Sequence, residues 1–394
     1  MFVIIIKNDA KERIMTEKLY YTDSFLSEFE ATVLDCINCG DRFEIILDKT
    51  AFFPEGGGQS GDSGFIGDIA VFDTHEKGEK ICHYATGAAQ VGETVKCRIN
   101  FDKRFRRMQC HSGEHIVSGI IHKLFGFDNV GFHLGDTDVT IDISNPLSEE
   151  DIRKVEKLAN EAVAKDFEIK CFFPTGDEAA AIPYRAKLDI TENLRLVEFP
   201  EYDICACCAP HVKRSGQIGV IKLLDFSNYK GGVRIHMLCG EMALEDYQSK
   251  YSEVLRISNT LSAKQTEVAE AVDRLKAENE KLKHEISVLK REVAEEMAAA
   301  AKETDKNLLF FAPSLDANSL RALVNAALPK CGGICAAFSG HDGSYNFCIG
   351  SKSVNLKEKA KEIGEVLHGR GGGSPEMICG SVCATKDEIK TYFE

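Results

Sequence analysis

His111-Ser112-Gly113-Glu114-His115 and, about a hundred residues later, Cys207-Cys208-Ala209-Pro210-His211 carry the side chains best suited to chemistry. Two histidines four apart fall on one face of a helix. A cysteine and a histidine at the same spacing supply a second pair, so His111, His115, Cys207 and His211 could close around one metal ion. Three imidazoles and a thiolate suit zinc best. The thiol is not fixed by spacing alone, because Cys205 and Cys208 form a C-x-x-C of their own. Glu114 opens a competing class: His111-x-x-Glu114-His115 fits the H-x-x-E-H pattern of zinc peptidases, whose glutamate is general base to a zinc-bound water. Such peptidases are expected to complete the site with a carboxylate rather than a thiolate and a third histidine. Four protein ligands also resemble a closed structural site, unless one of them yields to water or substrate.

Between residues 50 and 64 lies Thr50-Ala51-Phe52-Phe53-Pro54-Glu55-Gly56-Gly57-Gly58-Gln59, a glycine cluster with no amphipathic helix directly after it. It is therefore neither a dinucleotide nor a Walker loop, and glycine's freedom suits it to a tight turn or to close approach of a ligand. Lys103-Arg104-Phe105-Arg106-Arg107 sets four cations just before the first histidine. The chain as a whole is acidic, with a net charge of −14, which argues against non-specific polyanion binding and leaves room only for a local basic face. The composition, 44% hydrophobic and 28% charged over 394 residues, is that of a globular protein of two or three domains. No apolar run reaches the ~18 residues of a membrane span, and Met1 to Ile6 is too short for a secretion signal, so a cytoplasmic location without membrane contact is expected. Fifteen cysteines in such a chain read as reduced thiols, and Cys331, Cys335, Cys379 and Cys383 as core residues.

The elements that must position these groups form an α+β protein in five stretches. Residues 1–14 are an extension ahead of a fresh beginning at Met15. Residues 15–100 carry short strand-like runs (Ala31 to Leu34, Phe43 to Leu47, Thr94 to Ile99) between glycine-rich turns, a small β-barrel domain. In residues 101–247 the period becomes helical, with Ile116, Ile120 and Leu124 in one stripe. A capping box at Ser148 to Asp151 starts a second helix, and strands are expected at 168–173, 194–199 and 218–225. Residues 248–304 hold heptads: Leu261, Val268, Leu275, Leu282 and Leu289 on one seam, Gln265, Val272, Asn279, Ile286 and Val293 on the other, as in a coiled coil or helical hairpin. Residues 305–394 make a small α/β unit with a helix at Lys357 to Leu367 and a glycine-rich stretch from Gly369 to Pro375.

Taken together, these motifs resemble the free-standing alanyl-tRNA editing proteins of the AlaX family, and with them the editing domain of alanyl-tRNA synthetase. The family's H-x-x-x-H falls on His111 and His115, and its C-x-x-x-H on Cys207 and His211. Its T-x-F-x-x-x-G-G-G-Q stretch falls on Thr50, Phe52, Gly56, Gly57, Gly58 and Gln59. Arg234 lies in Lys230 to Ile235, similar to the family's final core strand. The likeness runs specifically from Met15 to about Tyr247. It continues more loosely into the C-terminal unit, which resembles the DHH-associated domain of the long AlaX subtype. One departure is Cys208-Ala209-Pro210 where the family usually has Gly-Gly-Thr. The resemblance implies a hydrolase that cuts serine, or glycine, from wrongly charged tRNA(Ala) with one zinc ion per chain. Thr50 and Gln59 would contact the aminoacyl group, and Lys103, Arg104, Arg106, Arg107 and Arg234 would meet tRNA phosphates. The C-terminal domain would grip tRNA farther off, and the heptads or that domain would join two copies. A metallopeptidase and a non-catalytic, zinc-stabilised RNA-binding protein are the other two classes the residues allow.

Overall fold

The computed structural model describes residues 15–137, 139–186 and 194–394, so the leading extension 1–14 lies outside the described residues. The chain forms two compact units, one ending at Glu253 and the other spanning Val254 to Glu394. Each mixes helices with sheets, so the class is α+β.

The first unit opens with the strands β1 (Glu17–Lys18), β2 (Glu28–Asn38), β3 (Phe43–Leu47), β4 (Lys49–Thr50), β5 (Gly64–Ile66), β6 (Ile69–Lys77), β7 (Lys80–Ala85) and β8 (Thr94–Ile99). β1 and β4 pair in parallel, while β2, β3, β7, β6, β5 and β8 pair in that order and close into a barrel. The long strand β2 makes closure feasible, because its first half pairs with β8 and its second with β3, across a register shift between Val33 and Asp35. A bulge of that kind bends and twists a strand toward a new partner. Inward-facing Val33, Ile45, Leu47, Phe52, Ile66 and Val71 fill the interior.

Polar side chains share that interior, His83 among them. His83 is fully buried, its Nε2 2.8 Å from Thr50 Oγ1 and its Nδ1 2.9 Å from the Ile45 carbonyl oxygen. Burial pushes its pKa down from the ordinary 6.5 to about 4, against the Ile45 hydrogen bond, which raises it. The unfolded chain therefore binds a proton between about pH 6.5 and pH 4 that the folded chain refuses, and stability must fall as pH drops through that window. We expect this imidazole alone to remove about 3 kcal/mol between pH 7 and pH 4. Urea unfolding across that range checks it, with His83→Gln as the variant in which this part of the slope disappears.

Directly after β8 runs α1 (Phe101–Phe125), capped at its start by the Asn100 side chain, which accepts from Lys103 N, and ended by Gly126 in the left-handed region. From Arg107 to Ile121 every residue of α1 is buried, so the helix is enclosed on all sides, far more than an amphipathic surface helix would be. Leu124 of the expected stripe is exposed. Around α1 stand β9 (Asn129–Leu134), β10 (Val139–Ile143), α2 (Glu149–Ala164), β11 (Lys170–Phe172), α3 (Gly176–Ala181), β12 (Leu196–Phe199), β13 (Asp203–Ala206), β14 (Ile221–Tyr229) and β15 (Gly232–Cys239). They form a four-stranded sheet, β14-β15-β10-β9, and a three-stranded one, β11-β12-β13. α1 packs against α2, β13 and β15. The capping box is present, Ser148 Oγ accepting from Asp151 N and the Asp151 carboxylate from Ser148 N.

α4 (Gly240–Leu261) leaves the first unit. The second contains α5 (Val268–Ala300), β16 (Leu308–Phe311), α6 (Ala317–Ala327), β17 (Ile334–His341), β18 (Ser344–Ser351), α7 (Leu356–Val366), β19 (Gly369–Gly373), β20 (Met377–Val382) and α8 (Lys386–Phe393), with sheet order β16-β17-β18-β20-β19. α5 packs on α6 through Ala294 and Ala298 near its end. Its heptad residues Leu275, Leu282, Ile286 and Leu289 are about half exposed. All fifteen cysteines are free thiols, and of the four C-terminal ones read as core, Cys335 is buried whereas Cys383 is exposed. No helix among the described residues is long and apolar enough to cross a membrane.

Candidate metal centre

The buried middle of α1 presents His111 and His115 on successive turns, their rings nearly parallel with centroids 5.5 Å apart. Opposite them, the segment after β13 brings in Cys207 and His211, and the His211 ring stands edge-on to both helix histidines, 5.0 Å from each. One ligand atom from each of the four lies within 4.8 Å of the others. Cys207 Sγ is 3.5 Å from His111 Nε2 and 3.4 Å from His211 Nε2. The three histidines are buried and Cys207 half-buried. This brings Cys207, rather than Cys205 or Cys208, into the cluster with the three histidines.

What surrounds these ligands fixes their tautomers. His111 Nδ1 is 3.1 Å from Gln59 Oε1, His115 Nδ1 3.1 Å from Asp203 Oδ2 and His211 Nδ1 3.0 Å from Ser112 Oγ. When each Nδ1–H donates to its oxygen, the Nε2 lone pair is left for an ion. His115 Nε2 is the telling atom, buried and without any hydrogen-bond partner. An orphaned imidazole nitrogen beside a thiol and two further imidazole nitrogens fits a cation and little else. The protonation states agree. Burial opposes the Cys207 thiolate, yet the nearby His111 ring and hydrogen bonds from His111 and His115 outweigh it and hold the thiol well below its usual value. Burial drives His211 down to about 3, so its ring is neutral. On His115 burial disfavours charge, but Asp203, Cys205 and Cys207 reverse that and hold a proton there. A bound cation supplies that positive charge instead and releases the proton. Asp203 also groups with His115 and Cys205, but Arg185 Nε and Nη2 bond its two oxygens at 2.7 and 2.8 Å, so it orients His115 rather than ligating.

The glycine loop joins the site through its backbone. Gly58 has φ +82°, and a Cβ there would stand 2.5 Å from the Phe132 carbonyl oxygen, so only glycine lets the loop lie flat on β9 and aim Gln59 at His111. Gly57 and Gly58 line a cavity of about 690 Å³ with His111, Glu114, His115, Asn129, Phe132, Arg185, Cys207 and Cys208. Close packing behind the ligands is equally strict. A Cβ on Gly119 would sit 2.6 Å from the Tyr202 carbonyl oxygen and 2.9 Å from Asp203 Cβ. We expect Gly119→Ala to push β13 from α1, displace Asp203 from His115 and weaken zinc retention about 10–100-fold, the usual cost of disturbing a ligand's support. Competition with a chromogenic chelator measures it.

Two family models match the chain: tRNA synthetases class II (A) over residues 7–103 and the threonyl and alanyl tRNA synthetase second additional domain over residues 194–236. The first spans the barrel and the glycine loop, the second Cys207 and His211. Along nearly its whole length the chain is similar to alanyl-tRNA editing protein AlaX-L of Pyrococcus horikoshii, 28% identical over 95% of this chain and 96% of that one. The likeness to AlaX-L thus runs over nearly the full length of both chains. The chain is also similar to the alanine–tRNA ligases of Ignicoccus hospitalis, 30% identical over 95% of the chain, and Halobacterium salinarum, 32% over 89%. It spans only about two fifths of those ligases, 42% and 40% of their lengths. The C-Ala domain of Aquifex aeolicus alanyl-tRNA synthetase is 28% identical over 22% of this chain and 85% of that one, with a TM-score of 0.19, too low for a meaningful superposition.

Several site residues expected from this family likeness lie elsewhere. Thr50 is fully buried against His83, away from the cavity. Gln59 is at the site, its Oε1 against His111 Nδ1 and its Nε2 without a partner. Arg104 is fully buried and bonds Asp62 and the carbonyl oxygens of Ala51 and Ser24, while Arg107 bonds the Ser60 and Gly61 carbonyls and Asp136. Both are ties between α1 and the barrel, unavailable to phosphate. Arg106 pairs with Glu241 and Glu245, Lys103 with Asp136, and Arg234 with Asp142 while stacking on Tyr229. The basic run is thus largely neutralised within the fold. Asp203, Ser112, Asn129 and Arg185 are the site residues that spacing did not announce.

Proposed function

We propose that this chain is a zinc-dependent, free-standing deacylase of tRNA(Ala) wrongly charged with serine or glycine, acting in the cytoplasm. The observation that carries the reading is the enclosed three-histidine, one-cysteine cluster opening on one side into a cavity large enough for an aminoacyl ester. His111, His115, Cys207 and His211 would hold the ion, which when bound supplies Lewis acidity toward an ester oxygen or a water. The remaining work falls to the protein. Phe132 and Val130 offer apolar wall to the terminal adenosine. The Gln59 amide nitrogen, buried and unpartnered, is the donor we assign to the ester carbonyl. Water adds to the acyl carbon, the bond to the ribose oxygen breaks, and the ribose oxygen leaves with a proton.

In the second unit, Lys357, Lys361 and Arg370 line a groove with the bare backbone of edge strand β19, a surface we assign to tRNA phosphates. The exposed seam of α5 is assigned to a second copy of the chain, with Asn279 setting register. Purified protein should deacylate Ser-tRNA(Ala) or Gly-tRNA(Ala) and spare Ala-tRNA(Ala). Equal turnover of all three sinks the specificity, and turnover of none sinks the reading. Sedimentation of Leu282→Lys/Leu289→Lys tests the seam, which is refuted by an unchanged oligomeric state.

A further inference from the structure

Glu114 lies between the two helix ligands and is only 3% exposed, yet it lines the same cavity as His111, His115 and Cys207. Its carboxylate accepts from Asn129 Nδ2. Asn129 is itself aligned, because its Oδ1 accepts from Gly131 N at 3.0 Å. The hydrogen-bond partner supplied to this buried acid is therefore a neutral amide. The two cationic groups whose charges act with it, His115 and Arg185, both donate to Asp203 instead. Asp128, the other acid on the cavity wall, pairs with His122. A carboxylate nine-tenths buried without a cation of its own is costly, and here it faces a cavity that His115, with its orphaned nitrogen, also lines.

We propose that Glu114 binds the α-ammonium group of the aminoacyl ester. The proposal rests on reading this site as an aminoacyl-tRNA deacylase. A free ammonium completes the charge that Glu114 lacks, and its attachment one carbon from the ester sets the scissile carbonyl beside the ligand cluster. The same contact rejects any ester whose nitrogen is acylated, because an amide brings no charge and leaves the carboxylate unpaired. Nascent peptidyl-tRNA is such an ester, so Glu114 would spare it while free aminoacyl groups are removed.

The test compares kcat/KM for Ser-tRNA(Ala) and N-acetyl-Ser-tRNA(Ala) with the full-length, zinc-loaded chain. The wild type is expected to favour the free amine by about 100-fold, the worth of a charged hydrogen bond of this kind. Glu114→Gln keeps shape and the Asn129 contact. It should lose about that factor on Ser-tRNA(Ala), nothing on the acetylated substrate, and no zinc. An equal fall on both substrates, or no fall on either, overturns the proposal. Should Glu114→Gln lose its zinc, Glu114→Asp decides, since a shortened carboxylate narrows the preference if the proposal is right and leaves it at the wild-type value if it is wrong. A wild type that cleaves no charged tRNA refutes the deacylase reading itself, whereas a wild type that cleaves both esters equally refutes only the role of Glu114.

Discussion

Cys207→Ala is expected to purify with less than about a tenth of the wild-type zinc and to deacylate at least about 100-fold more slowly. Cys207 is the sole sulfur and sole anion among the four ligands. Removing it leaves three imidazoles, of which His115 keeps its bond to Asp203, so the remaining cluster loses the charge that favours a dication. Metal analysis by mass spectrometry measures the first effect and a deacylation assay the second. The two can be separated from a folding defect by thermal unfolding. An ion bound only by the folded state adds RT ln(1 + [L]/Kd) to stability, so a chelator should lower the wild-type Tm and leave that of Cys207→Ala unchanged. Asp203→Asn provides a graded comparison: the ligand set stays whole but His115 loses a charged partner, and zinc affinity should fall only about 10–100-fold. Full zinc content in Cys207→Ala would mean that the four side chains are packing partners rather than ligands.

The largest effect on stability is expected from Asp62→Ala. Asp62 Oδ2 accepts from Phe53 N at 2.8 Å and from Arg104 Nε at 2.8 Å, with Arg104 Nη2 also on the same oxygen. Arg104 is wholly enclosed, and Nη2 continues to the Ala51 carbonyl at 2.6 Å. Truncating the acid strands a guanidinium without a counter-ion in the interior, which costs about 3–5 kcal/mol. For a unit of some 250 residues that is about 10 °C of Tm. The double variant Asp62→Leu/Arg104→Met removes both charges and should recover most of the loss. Failure of the double variant to recover would place the cost in the hydrogen bond to Phe53 and the packing around it.

The cluster of His111, His115, Cys207 and His211 was legible because type and spacing coincide: histidines are rare, and i, i+4 is a geometric statement about a helix. The arginines were misread for a reason that the same helix explains. Arg104 is seven before His111, and so shares its inward face, between Phe101 and Met108. Lys103 and Arg106 lie on the other side. Reading the basic run on a helical wheel rather than as a block would have separated the buried ties from the cations paired at the surface. Asn129, Arg185 and Asp203 could not be found in this way, since each comes singly from a segment outside α1 and gains its role only when that segment reaches the helix. The barrel's strand order was equally hidden, because β2 serves two partners across a bulge whose position no local pattern marks. The heptads were readable as a period, but a period names a seam and not what covers it.

The ligand pairs on α1 and after β13 are 96 residues apart in sequence. Coordination across that distance closes a loop, much as a disulfide would, and a covalent link of that span lowers the entropy of the unfolded chain by the equivalent of about 4–5 kcal/mol. While the ion stays bound, the chain between α1 and β13 can detach only if coordination bonds break. Sheet β11-β12-β13 should therefore exchange its amide hydrogens, and yield to proteases, at the rate of metal release rather than at the rate of ordinary local opening.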